Sequence, residues 1–307
     1  MNTLNSQITD DLVSHLNFYL KTSIPTEFYE VFEYALIPTG KLFRANLIWS
    51  SFCDFNNIDF FKLETKNHPE VQLLSSSVEL HHAYTLIHDD LPCMDDDDFR
   101  RGKESTHKKY NEWIALLAGD GLLNLSYELL SDINHPNVTK LIKNYSSLCG
   151  PTGLILGQYL DLKQDEEEFQ FNNILKIHEL KTSNLFTCCL LGSAFLSNVN
   201  ETVCHNAKSL GKDIGILFQI IDDLTELCDE KVSHHEAQIN PWINEFSQSK
   251  ALLIKLCKDI EGNLAEMPNL KRLVLKYVDR TKVILKQHQE VIENHLKNDL
   301  GPIIATL

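Results

Sequence analysis

The segment from Leu80 to Lys103 reads LHHAYTLIHDDLPCMDDDDFRRGK, and its reading decides the rest of the chain. Six of the ten residues from position 89 to 98 are Asp (Asp89, Asp90, Asp95, Asp96, Asp97, Asp98), and Arg100, Arg101 and Lys103 follow directly. Ahead of them Val78, Ala83, Leu86 and Ile87 supply the apolar positions of a packed helix, and Pro92 is placed to end it just past the Asp pair. Asp89 and Asp90 then stand at a helix C-terminus, where carboxylates oppose the helix dipole and each other at about 0.3–1 kcal/mol per charge. Positive charge is needed there. Magnesium takes a few carboxylates, keeps several waters and fills its shell with substrate phosphate oxygens, so a spaced Asp set beside a diphosphate answers the need. The two arginines would hold the remaining phosphate oxygens bidentately. The plainer alternative is a solvated acidic loop neutralised by its own Arg pair, and the ordered helix leading into it weighs against that.

A second acidic segment, LGKDIGILFQIIDDLTELCDE (residues 210–230), has the 3.6-residue period of a helix. Ile214, Leu217, Ile221 and Leu224 share one face; Gly215, Gln219, Asp222 and Glu226 share another. Asp222 and Glu226 are four residues apart, where like charges repel unless a cation bridges them. Gly211 and Gly215 cost helix stability and make sense where a ligand or a close neighbour occupies their side. Taken alone, this segment is explained more commonly by an exposed polar helix face.

Outward from these two segments, apolar residues at spacings of three and four predict helices near 6–21, 41–53, 70–91, 112–131, 173–196, 203–229 and 270–296. Loops are expected at CDFNNIDF (53–60), SDINHPNV (131–138), KQDEEEFQFNN (163–173) and SHHEAQINPW (233–242). No stretch alternates in the manner of strands, and 12 Gly and 9 Pro are few for a chain of tight turns. The expectation is an all-α chain, one large helical bundle over residues 1–307. The eight cysteines form no CxxC pair and no secretory leader precedes them, so buried thiols in a reducing, cytoplasmic compartment are expected. No run of about 18 apolar residues occurs, which argues against membrane insertion. A net charge of -15 excludes nucleic acid as a partner, because phosphate backbones are bound by clustered Lys and Arg.

Together the two Asp-rich segments resemble those of the trans-isoprenyl diphosphate synthases, most closely the bacterial farnesyl diphosphate synthases. DDLPCMDDDDFRRG matches the bacterial form of the first motif, and the likeness runs from about Gly40 to Glu226. The resemblance implies an isoprenoid synthase bundle with a central active-site cavity. GKLFRA is similar to the family's Gly-Lys-x-x-Arg element, which assigns Lys41 and Arg44 to the diphosphate of isopentenyl diphosphate, with His82 and Arg101. Arg100 is carried over to the allylic diphosphate. GLILGQYLDL resembles the Gly-Gln-x-x-Asp element, making Gln158 and Asp161 wall or supporting residues. HELKTSNL carries the Lys-Thr pair, so Lys181 is expected on the allylic diphosphate and Thr182 beside the reacting carbons, with Gln219. The metal ligands implied are Asp89, Asp90, Asp95, Asp222 and Glu226, holding about three magnesium ions when substrate is bound. Catalysis is assigned to Asp89, Asp90, Asp95, Arg100, Lys181, Thr182, Gln219 and Asp222, which promote departure of diphosphate and condensation of the cation with the alkene. Tyr84 and Thr85, just ahead of the first motif, are the expected limit on chain length.

Two departures stand out. The second motif ends in Glu226 where the family has Asp, and the family's later Gly-Lys and Lys-Ser/Thr-x-Pro elements are missing from CDEKVSHHEAQINPWINEF; Lys231 and Asn240-Pro241 are the only substitutes at hand. The expected activity is farnesyl diphosphate synthesis from isopentenyl and dimethylallyl or geranyl diphosphate, by a homodimer as is common in the family. The alternatives are a geranylgeranyl diphosphate synthase, a catalytically weak subunit of a synthase heteromer, a terpene cyclase, or a metal phosphohydrolase using His81, His82, His88 and Asp89 as ligands. The basic set for a second diphosphate argues against a cyclase, and the Arg pair is unexplained by a phosphohydrolase.

Overall fold

Apolar residues four apart produce the first helix: Ile8, Leu12, Leu16 and Leu20 form one buried stripe on α1 (Ser6–Ser23). The fold is taken from a computed structural model, which describes residues 6–37, 39–163 and 169–307 and leaves out the side chains of 6, 7 and 234–236. The chain divides into two compact units, Met1–Ile142 with Phe195–Asn198, and Lys143–Ala194 with Val199–Leu307.

In the first unit α1 is followed by α2 (Thr26–Leu36) and α3 (Phe43–Asn56), which stops at Asn57 in a left-handed conformation (φ 54°). α4 (Pro69–Asp89) begins with Pro at its first position and is buried almost all round, including Ser75, Ser76, Ser77, Glu79 and His81. It packs along α6 (Glu112–Ser131), to which Ser77 Oγ donates at the carbonyl of Ser126 (2.8 Å). Gly119 on α6 makes room for the His88 ring; a Cβ there would stand 2.1 Å from Nε2. Between α4 and α6 lie a hairpin of β1 (Phe99–Arg100) and β2 (Lys103–Glu104) and the single-turn α5 (Thr106–Lys109). The return of Phe195–Asn198 to this unit is held by Asn56 Nδ2, donating to Ser197 Oγ (2.7 Å), and by Asn137 Nδ2, donating to the carbonyl of Phe195 (2.9 Å).

α7 (Val138–Cys149) carries the chain into the second unit, which continues through α8 (Leu154–Lys163), α9 (Phe171–Ile177), a π-helical segment (His178–Ser183), α10 (Asn184–Leu196) and α11 (Glu201–Glu226). Two short helices, α12 (His234–Ile239) and α13 (Pro241–Asn244), precede α14 (Phe246–Asn263), α15 (Pro268–Gln287), α16 (Gln289–Leu296) and α17 (Gly301–Thr306). Gly211 and Gly215 permit close packing of backbones: Cβ atoms there would meet Thr187 Cα at 2.7 Å and Ser183 Cα at 2.5 Å. Trp242, fully buried, ties α13 to α11 by donating from Nε1 to the carbonyl of Ile220 (2.7 Å).

The all-α expectation holds, with differences of detail. Strands had no support in the sequence, yet a two-residue antiparallel pair exists, too short to show alternation. SHHEAQINPW, expected as a loop, holds α12 and α13, and the helix expected over 270–296 breaks at His288. CDFNNIDF is helical as far as Asn56, and residues 164–168 of the acidic loop lie outside the described residues. All eight cysteines are free thiols and five of them are buried, in line with the expected reduced state.

Candidate active site

In the first unit, candidate residues gather on the C-terminus of α4 and the hairpin after it. The Asp95 N–H donates to the carbonyl of Asp89 (2.9 Å), which brings two carboxylates six positions apart in sequence onto neighbouring backbone. Asp89 is half-buried and Asp95 exposed, and both offer hard oxygen donors of the kind magnesium takes. Asp90 faces the other way. It is buried, and its Oδ1 accepts from Arg100 Nε (2.8 Å), while Arg100 Nη2 bonds the same oxygen and also Asp97 Oδ2 (2.7 Å). Burial pushes the Asp90 carboxyl up, against the pull of Arg100. At the helix end Asp90 is turned inward, where it positions Arg100.

The hairpin explains why two adjacent arginines have different neighbours. Arg101 (φ 55°) and Gly102 (φ 78°) fill the two central places of a turn in which both residues are left-handed, the geometry of a tight two-residue hairpin. Alternation across the short strands gives Arg100 to the Asp cluster. Arg101 instead lies over Gly40, where a Cβ would meet its Nη2 at 2.8 Å. Lys103 is anchored by the carbonyls of Tyr34 and Ile37 (3.0 Å to the latter), with its ammonium 4.1 Å from the centre of the Tyr34 ring. On α4, about two turns before the Asp pair, His82 is half-buried; burial first, and then Arg44, Arg101, His81 and Arg100, hold its pKa well below the usual value, so the ring is neutral. Lys41 is exposed. Tyr84 is buried, with its ring edge-on to His81 (4.7 Å) and His88 (5.6 Å), and Thr85 Oγ1 donates to the carbonyl of His82 (2.9 Å).

A second group of candidate residues lies in the second unit, where the π-helical segment carries the Lys-Thr pair. Gly157 of α8 touches that segment: a Cβ would be 2.4 Å from the Lys181 nitrogen. Four residues further on, Asp161 Oδ2 accepts from Lys181 Nζ (2.5 Å). Thr182 Oγ1 donates to Gln219 Oε1 (2.9 Å), and Gln219 Nε2 donates to Asp223 Oδ1 (2.9 Å). Asp223 is also 3.4 Å from His178 Nε2, and burial holds His178 down at about 4. The chain Thr182–Gln219–Asp223 fixes which way the Gln219 amide points. Asp222 is half-buried, about 100° around α11 from the buried Asp223, and Glu226 is exposed. The amide oxygen and nitrogen of Gln158 are buried and make no hydrogen bond among the described residues.

Of the substitutes for the missing basic elements, Asn240 has a structural task. Asn240 is buried, caps α13 by accepting from Trp242 N (3.0 Å), and donates to the carbonyl of Asp223 (2.7 Å), so it braces the second motif rather than meeting solvent. Lys231 is exposed. Sequence reasoning missed Glu79, His107, His178 and Asp223. Among the described residues, Asp96, Asp98 and His107 place ligand atoms within 4.8 Å of one another, but Asp98 already pairs with Lys108 (2.6 Å). The signal for Asp223 was present: it belongs to the motif but falls on the buried face of α11.

The polyprenyl synthetase family model matches residues 25–238, more than half of the chain and both Asp-rich segments. The chain belongs to the polyprenyl synthetase family. Farnesyl diphosphate synthase of Buchnera aphidicola (Schizaphis graminum) is 37% identical over 71% of this polyprenyl synthetase and 73% of its own length. Farnesyl diphosphate synthase of Bacillus subtilis is 38% identical over 51% of this chain and 55% of its own length. Among solved structures, an FPP/GFPP synthase from Zymomonas mobilis superposes with a TM-score of 0.74 at 28% identity, covering 88% of this chain and 95% of that one. Polyprenyl synthetases depend on magnesium, and Asp89 and Asp95 in the first unit and Asp222 in the second each carry the hard carboxylate oxygens that ion takes.

Proposed function

We propose that this chain is a farnesyl diphosphate synthase, joining isopentenyl diphosphate to dimethylallyl and then geranyl diphosphate. The observation that carries this reading is the division of labour between adjacent arginines: Arg100 is held among Asp90 and Asp97, and Arg101 turns to the side of Gly40, Arg44 and His82. Two separate basic positions serve two diphosphates, as condensation requires and cyclisation does not. Lys41, Arg44, His82 and Arg101 are assigned to isopentenyl diphosphate; Arg100 and Lys181 are assigned to the allylic diphosphate. Asp89, Asp95, Asp222 and Glu226 would hold magnesium, about three ions with substrate bound, and magnesium there supplies charge stabilisation for the departing diphosphate. Asp161 keeps Lys181 extended along α8, so that its charge is placed before substrate arrives. Thr182 and Gln219, fixed by Asp223, present oxygen dipoles to an allylic cation.

Both units are proposed to serve one catalytic domain of residues 1–307, in a cytoplasmic homodimer; no described helix is long and apolar enough to cross a membrane. Tyr84 and Thr85 are proposed to limit chain length at fifteen carbons. The test is incubation of the purified chain with magnesium, labelled isopentenyl diphosphate and dimethylallyl, geranyl or farnesyl diphosphate in separate reactions. A fifteen-carbon product from the first two primers supports the reading. A twenty-carbon product would make it a geranylgeranyl diphosphate synthase, and a folded chain inert with every primer would make it the weak subunit of a heteromer.

A further inference from the structure

Glu79 is a buried carboxylate on the side of α4 that carries His82, in a place where an anion is expected to bind. It is 7% exposed, and its Oε1 accepts the N–H of Ala45 at 3.1 Å. That N–H belongs to the first turn of α3, whose own N-cap is Leu42, in a left-handed conformation (φ 49°) and with no side chain able to cap. Glu79 thus supplies from α4 the acceptor that α3 lacks, and it fixes the turn that holds Arg44. The same carboxylate lies in the fields of Arg44 and Arg101, which with the Ala45 N–H pull its carboxyl down while burial, the largest influence, pushes it up. Arg101 reaches this place because Gly40 has no side chain. The mechanism proposed above gives Glu79 no task, and a carboxylate beside a diphosphate pocket repels the ligand unless it is there to organise cations.

We propose that Glu79 is a positioning residue for isopentenyl diphosphate: by accepting the Ala45 N–H it fixes the first turn of α3, and with it the placement of Arg44 beside the Gly40 side to which Arg101 turns, where the homoallylic diphosphate is received. This rests on the assignment of Arg44 and Arg101 to that diphosphate. Removing a negative charge from an anion site should tighten binding if Coulomb repulsion is all that matters. Positioning predicts the opposite sign.

The test is calorimetric titration of the full-length chain with isopentenyl diphosphate and, separately, inorganic diphosphate, using wild type, Glu79→Gln, Arg44→Gln and the double variant, alongside melting curves and steady-state kinetics. Glu79→Gln is isosteric and is expected to weaken isopentenyl diphosphate binding about 10- to 100-fold, and to raise its KM by a similar factor while the KM for geranyl diphosphate changes less than about 2-fold. In the Arg44→Gln background the same change is expected to do much less, since coupled neighbours are not additive. Equal or tighter binding by Glu79→Gln would overturn the proposal, as would equal effects on both substrates or full additivity with Arg44→Gln. Failure of the condensation reading shows separately, as absent turnover in wild type that still binds diphosphate; wild type that binds neither ligand overturns both.

Discussion

Arg100 makes hydrogen bonds to two carboxylates, Asp90 on one side and Asp97 on the other, and a planar guanidinium is the one side chain that can bridge both and still present an N–H edge outward. A lysine keeps the charge but loses the fork. Arg100→Lys is expected to lower kcat about 100-fold, roughly 2.7 kcal/mol of transition-state stabilisation, with little change in melting temperature; turnover above one tenth of wild type in a steady-state assay would remove Arg100 from the allylic site. Tyr84 poses a different question at the same scale. Its ring is packed in the cluster that includes Ala115 and Ala118 and touches His81 and His88, whereas Thr85 shares the helical face of Asp89 and His82. Tyr84→Ala is expected to cost about 3 kcal/mol of stability and to lengthen the products beyond fifteen carbons, read by chromatography of the dephosphorylated chains. An unchanged fifteen-carbon limit would leave Thr85 as the residue to vary next.

At the scale of the element, the π-helical segment His178–Ser183 gathers the candidate residues of the second unit because its wider turn sets Lys181 and Thr182 against different neighbours, Asp161 of α8 and Gln219 of α11. Gly157 lets α8 approach it, and the atoms a Cβ would strike are backbone, which cannot swing aside. Gly157→Ala is therefore expected to destabilise by about 1–3 kcal/mol and to reduce turnover, whereas Gly262→Ala in α14, with open space at its Cβ, is expected to stabilise by about 0.5–1 kcal/mol; melting curves of the pair decide it. The segment also carries His178, buried and neutral, with its pKa held at about 4 by burial, against Asp161. Above the usual value of 6.5 the ring is neutral folded or unfolded and costs nothing. Between pH 6.5 and 4 only the unfolded chain takes up the proton, so about 3 kcal/mol of stability is lost as pH falls. His178→Gln should melt with a flatter pH dependence over that window, and a decline parallel to wild type would assign the acid sensitivity to other groups. The Lys-Thr pair and a helix across 173–196 were legible in the sequence, but the π turn was not, because one extra residue in a turn leaves no mark on composition or period. By contrast α4, α6 and α11 were legible to within a few residues, since Pro69, Asn111 and Asn200 mark their starts and their apolar periods are long. Asn240-Pro241 misled for a physical reason: the pair that breaks one helix also starts the next, Asn as cap and Pro at the first position.

At the scale of the whole molecule the question is what covers two apolar stripes. On α8, Ile155, Tyr159 and Leu162 are 47%, 60% and 38% exposed and lie on one face, and on α6 Trp113, Leu116 and Leu117 are 63%, 47% and 47% exposed. Neither stripe is buried within its own unit, and exposed apolar positions repeated along a helix face mark an interface more often than a solvated surface. Each such side chain contributes about 1.5–3 kcal/mol when it is fully buried, so either stripe is suited to the apolar centre of an interface with a polar rim. A second copy of the chain supplies both stripes again, and with a net charge of -15 on each copy the contact must be led by apolar area and strengthened by salt. Light scattering at micromolar concentration is therefore expected to give twice 35.2 kDa, and the double variant Leu116→Glu, Tyr159→Glu is expected to give the single mass with its helix content retained. Wild type at the single mass would remove the homodimer. A dimer that survives the double variant would place its interface elsewhere, and a monomeric variant that keeps wild-type kcat would show that every catalytic group comes from one chain.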